Sequence, residues 1–441
     1  MMTRTGRLTR RQFLGRTAAV AAGAAALPTI VSSSALGKDS AAAPGGRIVM
    51  GCIGTGGQGT GNMRNFMNNP DVQVVAVCDV DKSHMDAAVA EVNKHYGTES
   101  CAAYRDFREL LARDDIDAVS VGTPDHWHAL VSIAAARAHK DIYCEKPLTN
   151  SVAEGRAVVD AVRENGRVLQ TGSHERSTES IRYACELVRN GRIGVLKRIL
   201  INLPCSDGHH QEARALTSIP DPEPVPEGLD WDFWLGHTPE VPYTPRRCHF
   251  WWRFILSYGG GEMTDRGAHV IDIAQLGAGM DGTTPVHYEA TGVQTPGSLY
   301  NTFWDYRFVN RYASGLELVG TTDDPRGLRF EGDEGWIFVQ IHGGALKASK
   351  ESLLSEKIGD DEVHLGRSPG HHRNFLDCVK SREDPFAPVE AGYHTAAICH
   401  LNNIAMLTGG KLEWDPAGET VKGNADAQRL LAPTMRPPWK L

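Results

Sequence analysis

Short apolar runs alternate with amphipathic segments in the first half of the chain. Runs typical of buried strands occupy residues 47–53, 73–78, 117–121, 140–144 and 168–170. Between these runs, apolar residues recur at helical spacing in segments 60–68, 82–96, 129–138 and 154–163. This alternation predicts an α/β domain over residues 47–170, built on a doubly wound parallel sheet.

The pattern changes after residue 170. The apolar runs are now separated by turns and not by full helices, and they lie at 193–203, 286–294, 306–309, 316–321 and 328–340. Such spacing predicts a large, mostly antiparallel sheet. Helical spacing returns at 371–381 and 390–407. We therefore predict a second domain of the α+β class over 171–413, followed by a C-terminal arm rich in Pro and Gly over 414–441.

The N-terminal segment has a different composition. Thr9-Arg10-Arg11-Gln12-Phe13-Leu14 precedes an uncharged, alanine-rich run, and Ala35-Leu36-Gly37 then offers small residues for cleavage. This order predicts a twin-arginine export signal over residues 1–37, with a short linker over 38–46. The protein is therefore expected to use the twin-arginine export machinery and to be periplasmic. It would be membrane-tethered if the signal stays uncleaved.

The net charge narrows the range of partners. The chain of 441 residues has a net charge of -8, which argues against nucleic acid and anionic membranes as partners.

The cysteines are predicted to be unpaired. The nine cysteines include no C-x-x-C pair. Cys52, Cys78 and Cys144 lie in apolar runs and are predicted to be buried free thiols. Export in the folded state is compatible with free thiols.

A glycine-rich turn follows the first predicted strand. The motif G-x-G-x-x-G typically lets a pyrophosphate approach the backbone at a helix N-terminus. Asp79 ends the next strand, where a carboxylate would bind a ribose 2′-hydroxyl and repel a 2′-phosphate. Asp81 could share that role. These features predict a Rossmann domain that binds NAD, with NADP less favoured, and the predicted cofactor contacts in the turn are Gly54, Gly56, Gly57, Gln58 and Gly59.

Two further segments are predicted to end strands at the same sheet edge. Glu145-Lys146-Pro147 places a cation where ligands of α/β sheets bind, although Lys146 could instead pair with a nearby carboxylate. Residues Thr123, Pro124, His126 and His128 are predicted to line the nicotinamide region. Each histidine could equally be a hydrogen-bonded wall residue. No third ligand has convincing spacing, so no metal site is predicted here.

A second constellation follows three glycines, Gly259 to Gly261. Asp265 and His269 are four residues apart in a predicted helix and therefore share a face. A histidine near a helix N-terminus is biased towards the neutral form that a general base requires. The alternative is an ordinary capped helix with an Asp/His pair on its surface.

The glycine turn, Glu145-Lys146-Pro147 and Asp265-x-x-x-His269 together resemble the glucose–fructose oxidoreductase/inositol dehydrogenase (Gfo/Idh/MocA) family. The resemblance implies a Rossmann domain, including a cofactor contact at Glu145, and a second domain whose open sheet mediates oligomerisation. It also implies catalytic roles for Lys146, Asp265 and His269. Gly172-x-x-x-Arg176 is similar to a segment that reaches the substrate in the family. The C-terminal part, which includes Arg436-Pro-Pro-Trp439, resembles an exported bacterial branch.

Aromatic residues flank the second constellation. Trp251 and Trp252 could form a stacking platform for a sugar ring, whereas large aromatics are more often core or interface residues.

The combined features predict an NAD-dependent oxidoreductase that acts on a secondary hydroxyl of a sugar, glycoside or cyclitol. Because free nicotinamide cofactor is scarce outside the cytoplasm, the NAD is expected to be held tightly. Redox-neutral cleavage of a glycosidic bond and non-catalytic binding of NAD and sugar are the alternatives. A homodimer or homotetramer is expected.

Overall fold

The computed structural model describes residues 46–441. The predicted export signal (1–37) and nearly all of the predicted linker lie outside the described residues. Among residues 46–441, no helix is both long enough and apolar enough to cross a membrane.

The first sheet is parallel and has the strand order β3-β2-β1-β4-β5-β6. Its strands are β1 (Ile48–Ile53), β2 (Val72–Cys78), β3 (Ala102–Tyr104), β4 (Ala118–Val121), β5 (Asp141–Cys144) and β6 (Leu169–Thr171). The connecting helices are α1 (Gly57–Met67), α2 (Lys82–Tyr96), α3 (Phe107–Leu111), α4 (Asp125–Arg137) and α5 (Val152–Glu164). This arrangement confirms the predicted doubly wound sheet.

Register brings the ends of the central strands to one line. Ile53 pairs with both Cys78 and Val121, and Cys144 pairs with both Val121 and Thr171. The residues that follow these strands therefore meet at a single sheet edge. Ligands of open α/β sheets bind at that edge.

The second sheet has nine strands in the order β13-β12-β11-β7-β10-β9-β8-β14-β15. All neighbouring strands are antiparallel except β7 and β10, which are parallel. The mostly antiparallel sheet was predicted. Its strands are β7 (Leu196–Asn202), β8 (His287–Val293), β9 (Trp304–Arg311), β10 (Glu317–Thr321), β11 (Gly327–Gly332), β12 (Trp336–Gln340), β13 (Leu346–Ala348), β14 (Lys411–Asp415) and β15 (Thr420–Lys422).

Helices cover one face of this sheet and leave the other open. In β9, Trp304, Tyr306 and Phe308 are buried, whereas the residues between them are exposed. This alternation places every second side chain in the core. The helices of this part are α6 (Glu179–Arg189), α7 (Gly208–Ala215), α8 (Trp231–Leu235), α9 (Glu262–Asp265), α10 (Gly267–Ala278), α11 (His371–Ser381), α12 (Val389–Leu407) and α13 (Ala425–Arg429).

Two predicted boundaries differ from the structure. Trp414 lies within β14 and is only 3% exposed, so the sheet extends past residue 413. Helix α11, although late in the chain, packs Phe375 and Leu376 into the core under β1 and β2. The Rossmann unit therefore includes a C-terminal element that a continuous segment 47–170 leaves out. Burial of its apolar side determines that placement.

The nine cysteines are all free thiols, and eight of them are buried. Burial raises the pKa of Cys52 to about 12, which keeps this thiol protonated. The expected buried thiols at positions 52, 78 and 144 are confirmed.

Candidate active site

The turn between β1 and α1 is closed so tightly that it needs glycine. Gly54 has a φ of +79°, and a Cβ there would lie 2.5 Å from the backbone nitrogen of Thr123. A Cβ on Gly59 would lie 1.9 Å from the carbonyl oxygen of Gly54. At Gly57, a Cβ would meet nothing within 4 Å. The turn therefore packs against the sheet on one side and leaves the N-terminus of α1 open for a pyrophosphate.

Asp79 is fixed against this turn. Its Oδ2 accepts hydrogen bonds from the backbone nitrogen of Thr55 (2.7 Å) and the Thr55 hydroxyl (3.2 Å). Its Oδ1 accepts from the backbone nitrogen of Asp81 at 2.9 Å. Asp81 itself caps α2 by accepting from Ser83. A carboxylate has about four acceptor positions, so Asp79 retains room for a ribose hydroxyl.

A cavity of about 450 Å³ runs along the sheet edge. One end is formed by the glycine turn and Asp79, and the other by Lys146, Asp265 and Trp252. The volume is in the range of small-molecule and cofactor sites. The glycine cradle and the ribose-facing carboxylate fit a dinucleotide in this cavity.

Lys146 joins the two domains at the inner end of the cavity. Its Nζ donates to Asp265 Oδ1 at 2.6 Å and to the Asp265 carbonyl oxygen at 2.9 Å. Burial lowers the pKa of the ammonium, but Asp265 more than offsets that effect and the net pKa is raised. Conversely, burial raises the pKa of Asp265, while Lys146 and then Arg253 hold it far below its usual range. Both groups are therefore charged.

Glu145 lies buried beneath this pair. Its Oε1 accepts from Asn62 Nδ2 at 2.8 Å and lies 3.4 Å from Gln58 Nε2. Gly172 allows the close approach, because a Cβ there would lie 2.9 Å from both carboxylate oxygens. Glu145 thus ties α1 to the end of β5 and supports the position of Lys146.

His269 lies in the first turn of α10 and is only 4% exposed. Burial lowers the pKa of its imidazole well below the ordinary value, and the Lys146 ammonium and the rings of His174 and His342 act in the same direction. The neutral form predicted from the sequence agrees with this direction. Burial and neighbouring charge are the causes of this shift. A neutral imidazole beside a cation can accept a proton.

Comparison with family profiles decides the classification. Residues 48–173 match the profile described as "Oxidoreductase family, NAD-binding Rossmann fold". Residues 184–441 match "Oxidoreductase family, C-terminal alpha/beta domain". The chain belongs to the Gfo/Idh/MocA oxidoreductase family. Within this Gfo/Idh/MocA protein, the side of the cavity lined by the glycine turn, Asp79 and Lys146 therefore lies in the NAD-binding domain, whereas Trp252 and Asp265 lie in the C-terminal domain.

Curated relatives match only part of the chain. An inositol 2-dehydrogenase of Salmonella typhimurium is 29% identical over 181 residues, 41% of this chain and 50% of the relative. A glycosyl hydrolase family 109 protein of Shewanella pealeana is 31% identical over 208 residues, 43% of this chain and 44% of the relative. The chain thus spans about half the length of these curated relatives or less.

A solved structure covers more of the fold. The aldose-aldose oxidoreductase from Caulobacter crescentus, complexed with glycerol, has a TM-score of 0.61 at 19% identity. The match covers 83% of this chain and 99% of that one. At this identity the likeness concerns the fold alone.

Most predicted site residues come together in this Gfo/Idh/MocA protein. Those that line the cavity are Gly54, Gly56, Gly57, Gln58, Asp79, Thr123, Pro124, His128, Glu145, Lys146, Trp252 and Asp265. Gly59 lies behind the turn. His269 lies outside the cavity wall, with its ring 4.8 Å from the rings of both His174 and His342.

The structure does not support the predicted nicotinamide contact of His126. It is completely buried, and its Nε2 lies 2.9 Å from the carbonyl oxygen of Trp234. Burial lowers the pKa of His126 to about 3. It is therefore a neutral packing residue behind the wall and does not touch a nicotinamide. His128, by contrast, lines the cavity, between the carbonyl oxygens of Pro147 and Thr123.

The structure also does not support the predicted substrate contact of Arg176. Its guanidinium is 1% exposed and forms ion pairs of 2.7 Å with both Asp272 and Asp281. Contacts to the carbonyl oxygens of Phe386 and Asp272 occupy the remaining N–H groups. All five donors of the guanidinium are then used within the protein. Arg176 cannot be the substrate contact expected from the family segment.

The paired tryptophans have different roles. Trp252 is a cavity residue, and the Arg253 guanidinium lies 4.5 Å from its ring centroid. Trp251 instead stacks on Tyr300, with ring centroids 5.9 Å apart, and does not reach the cavity. Only Trp252 remains available as a platform for a ligand.

Sequence reasoning also missed residues of the site. Asp125 lines the cavity at the start of α4, and burial raises the pKa of its carboxyl well above the ordinary value. Asp125 lies inside the segment from Thr123 to His128, and this position in the sequence could have identified it as a site residue. The sequence placed Asp265 on the same helix face as His269, and the structure shows that its carboxylate also holds Lys146.

Proposed function

We propose that this protein is an NAD-dependent oxidoreductase that oxidises a secondary hydroxyl of a sugar, glycoside or cyclitol. The observation that carries the proposal is the Lys146 ammonium, held by Asp265 at the inner end of the cavity that begins at the glycine turn. The inositol 2-dehydrogenase and aldose-aldose oxidoreductase among its relatives support polyol chemistry.

The residues divide the chemistry between them. NAD bound in the cavity supplies the hydride acceptor. The neutral imidazole of His269 takes the proton of the substrate hydroxyl. Lys146 stabilises the negative charge that develops on the substrate oxygen. Asp265 positions that ammonium and keeps it charged. Trp252 supports the ring of the substrate.

The decisive test is a sugar and cyclitol panel on the purified protein. Mass spectrometry first identifies the nucleotide retained by the protein. Added substrate should then convert bound NAD to NADH, seen as new absorbance, with one keto-product formed per reduced cofactor. Absence of both signals across the panel would contradict the proposal. A change in binding without any product would favour a non-catalytic NAD- and sugar-binding protein.

Asp125 favours a second candidate, redox-neutral cleavage of a glycoside. Oxidation of one carbinol acidifies the neighbouring C–H, and loss of that proton expels the glycosidic oxygen, which must be protonated. Burial raises the pKa of the Asp125 carboxyl, and a carboxyl group with a raised pKa is suited to supply that proton. The cleavage would be redox-neutral if the sugar regained its hydride from the bound cofactor after elimination. The glycosyl hydrolase family 109 relative supports this candidate. Released aglycone without net NADH would distinguish it from simple oxidation.

We also propose export to the periplasm by the twin-arginine route, with a membrane tether if the signal stays uncleaved. The Arg10-Arg11 pair and the uncharged run after it support this proposal. Replacing both arginines by lysine should retain the protein in the cytoplasmic fraction, and unchanged export would contradict the route.

A homodimer or homotetramer is the proposed assembly. The open face of the nine-stranded sheet supports it, because Val293 is 56% exposed at the end of β8. Light scattering after size-exclusion chromatography measures the mass directly. A monomer at micromolar concentration would contradict the assembly.

A further inference from the structure

Three potential metal ligands converge beside the catalytic histidine. His174 and Glu175 lie in a 3-10 turn (His174–Ser177) immediately after β6, and His342 lies in the turn after β12. One ligand atom of each residue lies within 4.8 Å of the others. His342 and Glu175 are 167 residues apart in the chain, so the sequence alone offered no recognisable spacing for this group.

Glu175 is the centre of the cluster. Its Oε1 accepts from the backbone nitrogen of His342 at 2.9 Å and lies 2.8 Å from His342 Nδ1. His174 Nε2 lies 3.6 Å from the same oxygen. The side chain of Glu175 is only 4% exposed, and its carboxylate lies within reach of both imidazoles.

The backbone holds His342 towards this carboxylate. His342 has a φ of +61°, a conformation that non-glycine residues seldom adopt. Gly344, two residues on, is anchored by a hydrogen bond from the Ser180 hydroxyl to its carbonyl oxygen at 2.8 Å. Strained positions of this kind concentrate at ligand sites, where the surrounding structure maintains them.

His269 supplies an independent observation. Its ring lies 4.8 Å from the rings of both His174 and His342. Its Nδ1 is buried and has no hydrogen-bond partner within the described part of the chain. A buried polar atom without a partner usually marks a missing water, ion or ligand. Imidazoles grouped around one carboxylate are a donor set that suits divalent transition metals.

We propose that His174, Glu175 and His342 bind one divalent transition-metal ion of the zinc class. Nitrogen donors disfavour magnesium and calcium, which prefer oxygen ligands. Three protein ligands leave at least one coordination position open, as in catalytic zinc sites. His174 is half-exposed and His342 is one-third exposed, so the ion can enter from solvent.

The open position gives the ion a role in substrate binding. This step rests on the proposed function. A polyol whose reacting hydroxyl contacts His269 can place a neighbouring hydroxyl oxygen on the ion, because His269 lies against both histidine ligands. The preferred substrates are then polyols with adjacent hydroxyl groups. No electron or proton is transferred to the ion in this role.

Cobalt titration tests the site without any sugar. Protein freed of metal with a chelator is titrated with Co²⁺, whose visible absorption reports low-symmetry coordination by nitrogen and oxygen. One equivalent should bind. Glu175→Gln, His342→Ala and His174→Ala should each weaken binding by at least about tenfold, since even outer-shell changes weaken metal sites by that factor. His209→Ala is the matched control, because His209 belongs to a separate group with metal-compatible spacing.

Retained NAD and thermal unfolding verify that each variant folds. His174→Ala is the safest of the three, because the half-exposed His174 contributes least to packing. No stoichiometric cobalt binding, or equal binding by wild type and His174→Ala, would overturn the proposal. Equal loss in His209→Ala would assign the ion to the other group and also overturn it.

A separate experiment measures the role of the metal ion in substrate binding. Zinc added to metal-free protein should lower KM for a vicinal diol substrate and leave the affinity of cofactor-free protein for NAD unchanged. Cobalt binding with no sugar oxidised would refute the proposed function and leave the metal site intact. Oxidation with the same KM in metal-free and zinc-loaded protein would overturn the substrate role of the ion.

Discussion

The Nζ of Lys146 lies 2.6 Å from Oδ1 of Asp265, although 119 residues separate them in the chain. Lys146 follows β5 of the Rossmann sheet, and Asp265 ends α9 of the second domain. The contact therefore positions a charged ammonium at the point where the cofactor cavity meets the second domain. Because each partner stabilises the charged form of the other, the pair remains ionised despite its burial.

Lys146→Met should abolish most of the turnover. Loss of the ammonium removes stabilisation of the developing alkoxide, and kcat/KM should fall at least about 100-fold while the protein retains NAD. Lys82→Met is the matched control, because Lys82 is an exposed lysine paired with Asp86. Steady-state kinetics on the best substrate provides the measurement. Turnover of Lys146→Met near that of the control would contradict the assignment.

The pH dependence of kcat/KM should show that His269 is neutral at the pH of turnover. The pKa of His269 is lowered by burial first and then by Lys146, so this histidine gains a proton only in more acidic solution than an ordinary one. A base is lost when pH falls through its pKa. We therefore expect kcat/KM to stay level from about pH 8 through about pH 6.5, the ordinary pKa of histidine, and to decline only in more acidic solution. An acid limb with its midpoint above pH 6.5 would contradict this assignment.

Asp79 should determine the choice between NAD and NADP. Asp79→Ser removes the charge that repels a 2′-phosphate, and the affinity ratio of NAD to NADP should fall at least about tenfold. Asp81→Asn is the control, since Asn also caps helices and the α2 cap would be preserved. Titration of both nucleotides into the cofactor-free protein measures the ratio. An equal change in the two variants would show that Asp81 shares the role.

Two glycines of α1 should respond in opposite ways to alanine. A Cβ at Gly59 would lie 1.9 Å from a backbone oxygen, so Gly59→Ala should open the turn and abolish NAD retention. Gly61 has nothing within 4 Å of a Cβ, and Gly61→Ala should stabilise the helix by roughly 0.5–1 kcal/mol. Thermal unfolding and nucleotide content measure both effects. Full NAD content in Gly59→Ala would refute the close-packed turn.

Arg176→Ala should affect stability rather than substrate affinity. The substitution leaves the carboxylate of Asp272 buried without its partner, which typically costs about 3–5 kcal/mol. Arg192→Ala, which removes a more exposed ion pair with Glu362, should lower the free energy of unfolding much less. Urea unfolding measures the free energy of unfolding of both variants. A raised KM with unchanged stability in Arg176→Ala would instead restore the role expected from the sequence.

Local signals account for the parts of the site that the sequence predicted. Gly54, Asp79 and Lys146 each follow an apolar run, and parallel register brings such residues to one edge. His126 and Trp251 were misassigned for a related reason. Each lies beside a residue that does line the cavity, and one position along a helical turn rotates a side chain away from it.

The sequence by itself therefore determined the two fold classes, the dinucleotide turn and the residues at the strand ends, because these depend on periodicity and on neighbours in the chain. Only the tertiary structure decided which charges meet. It paired Lys146 with Asp265, enclosed Arg176 between two aspartates and brought His342 to Glu175. These contacts join residues 96 to 167 positions apart in the chain. They arise from tertiary packing, and chain spacing carries no record of that packing.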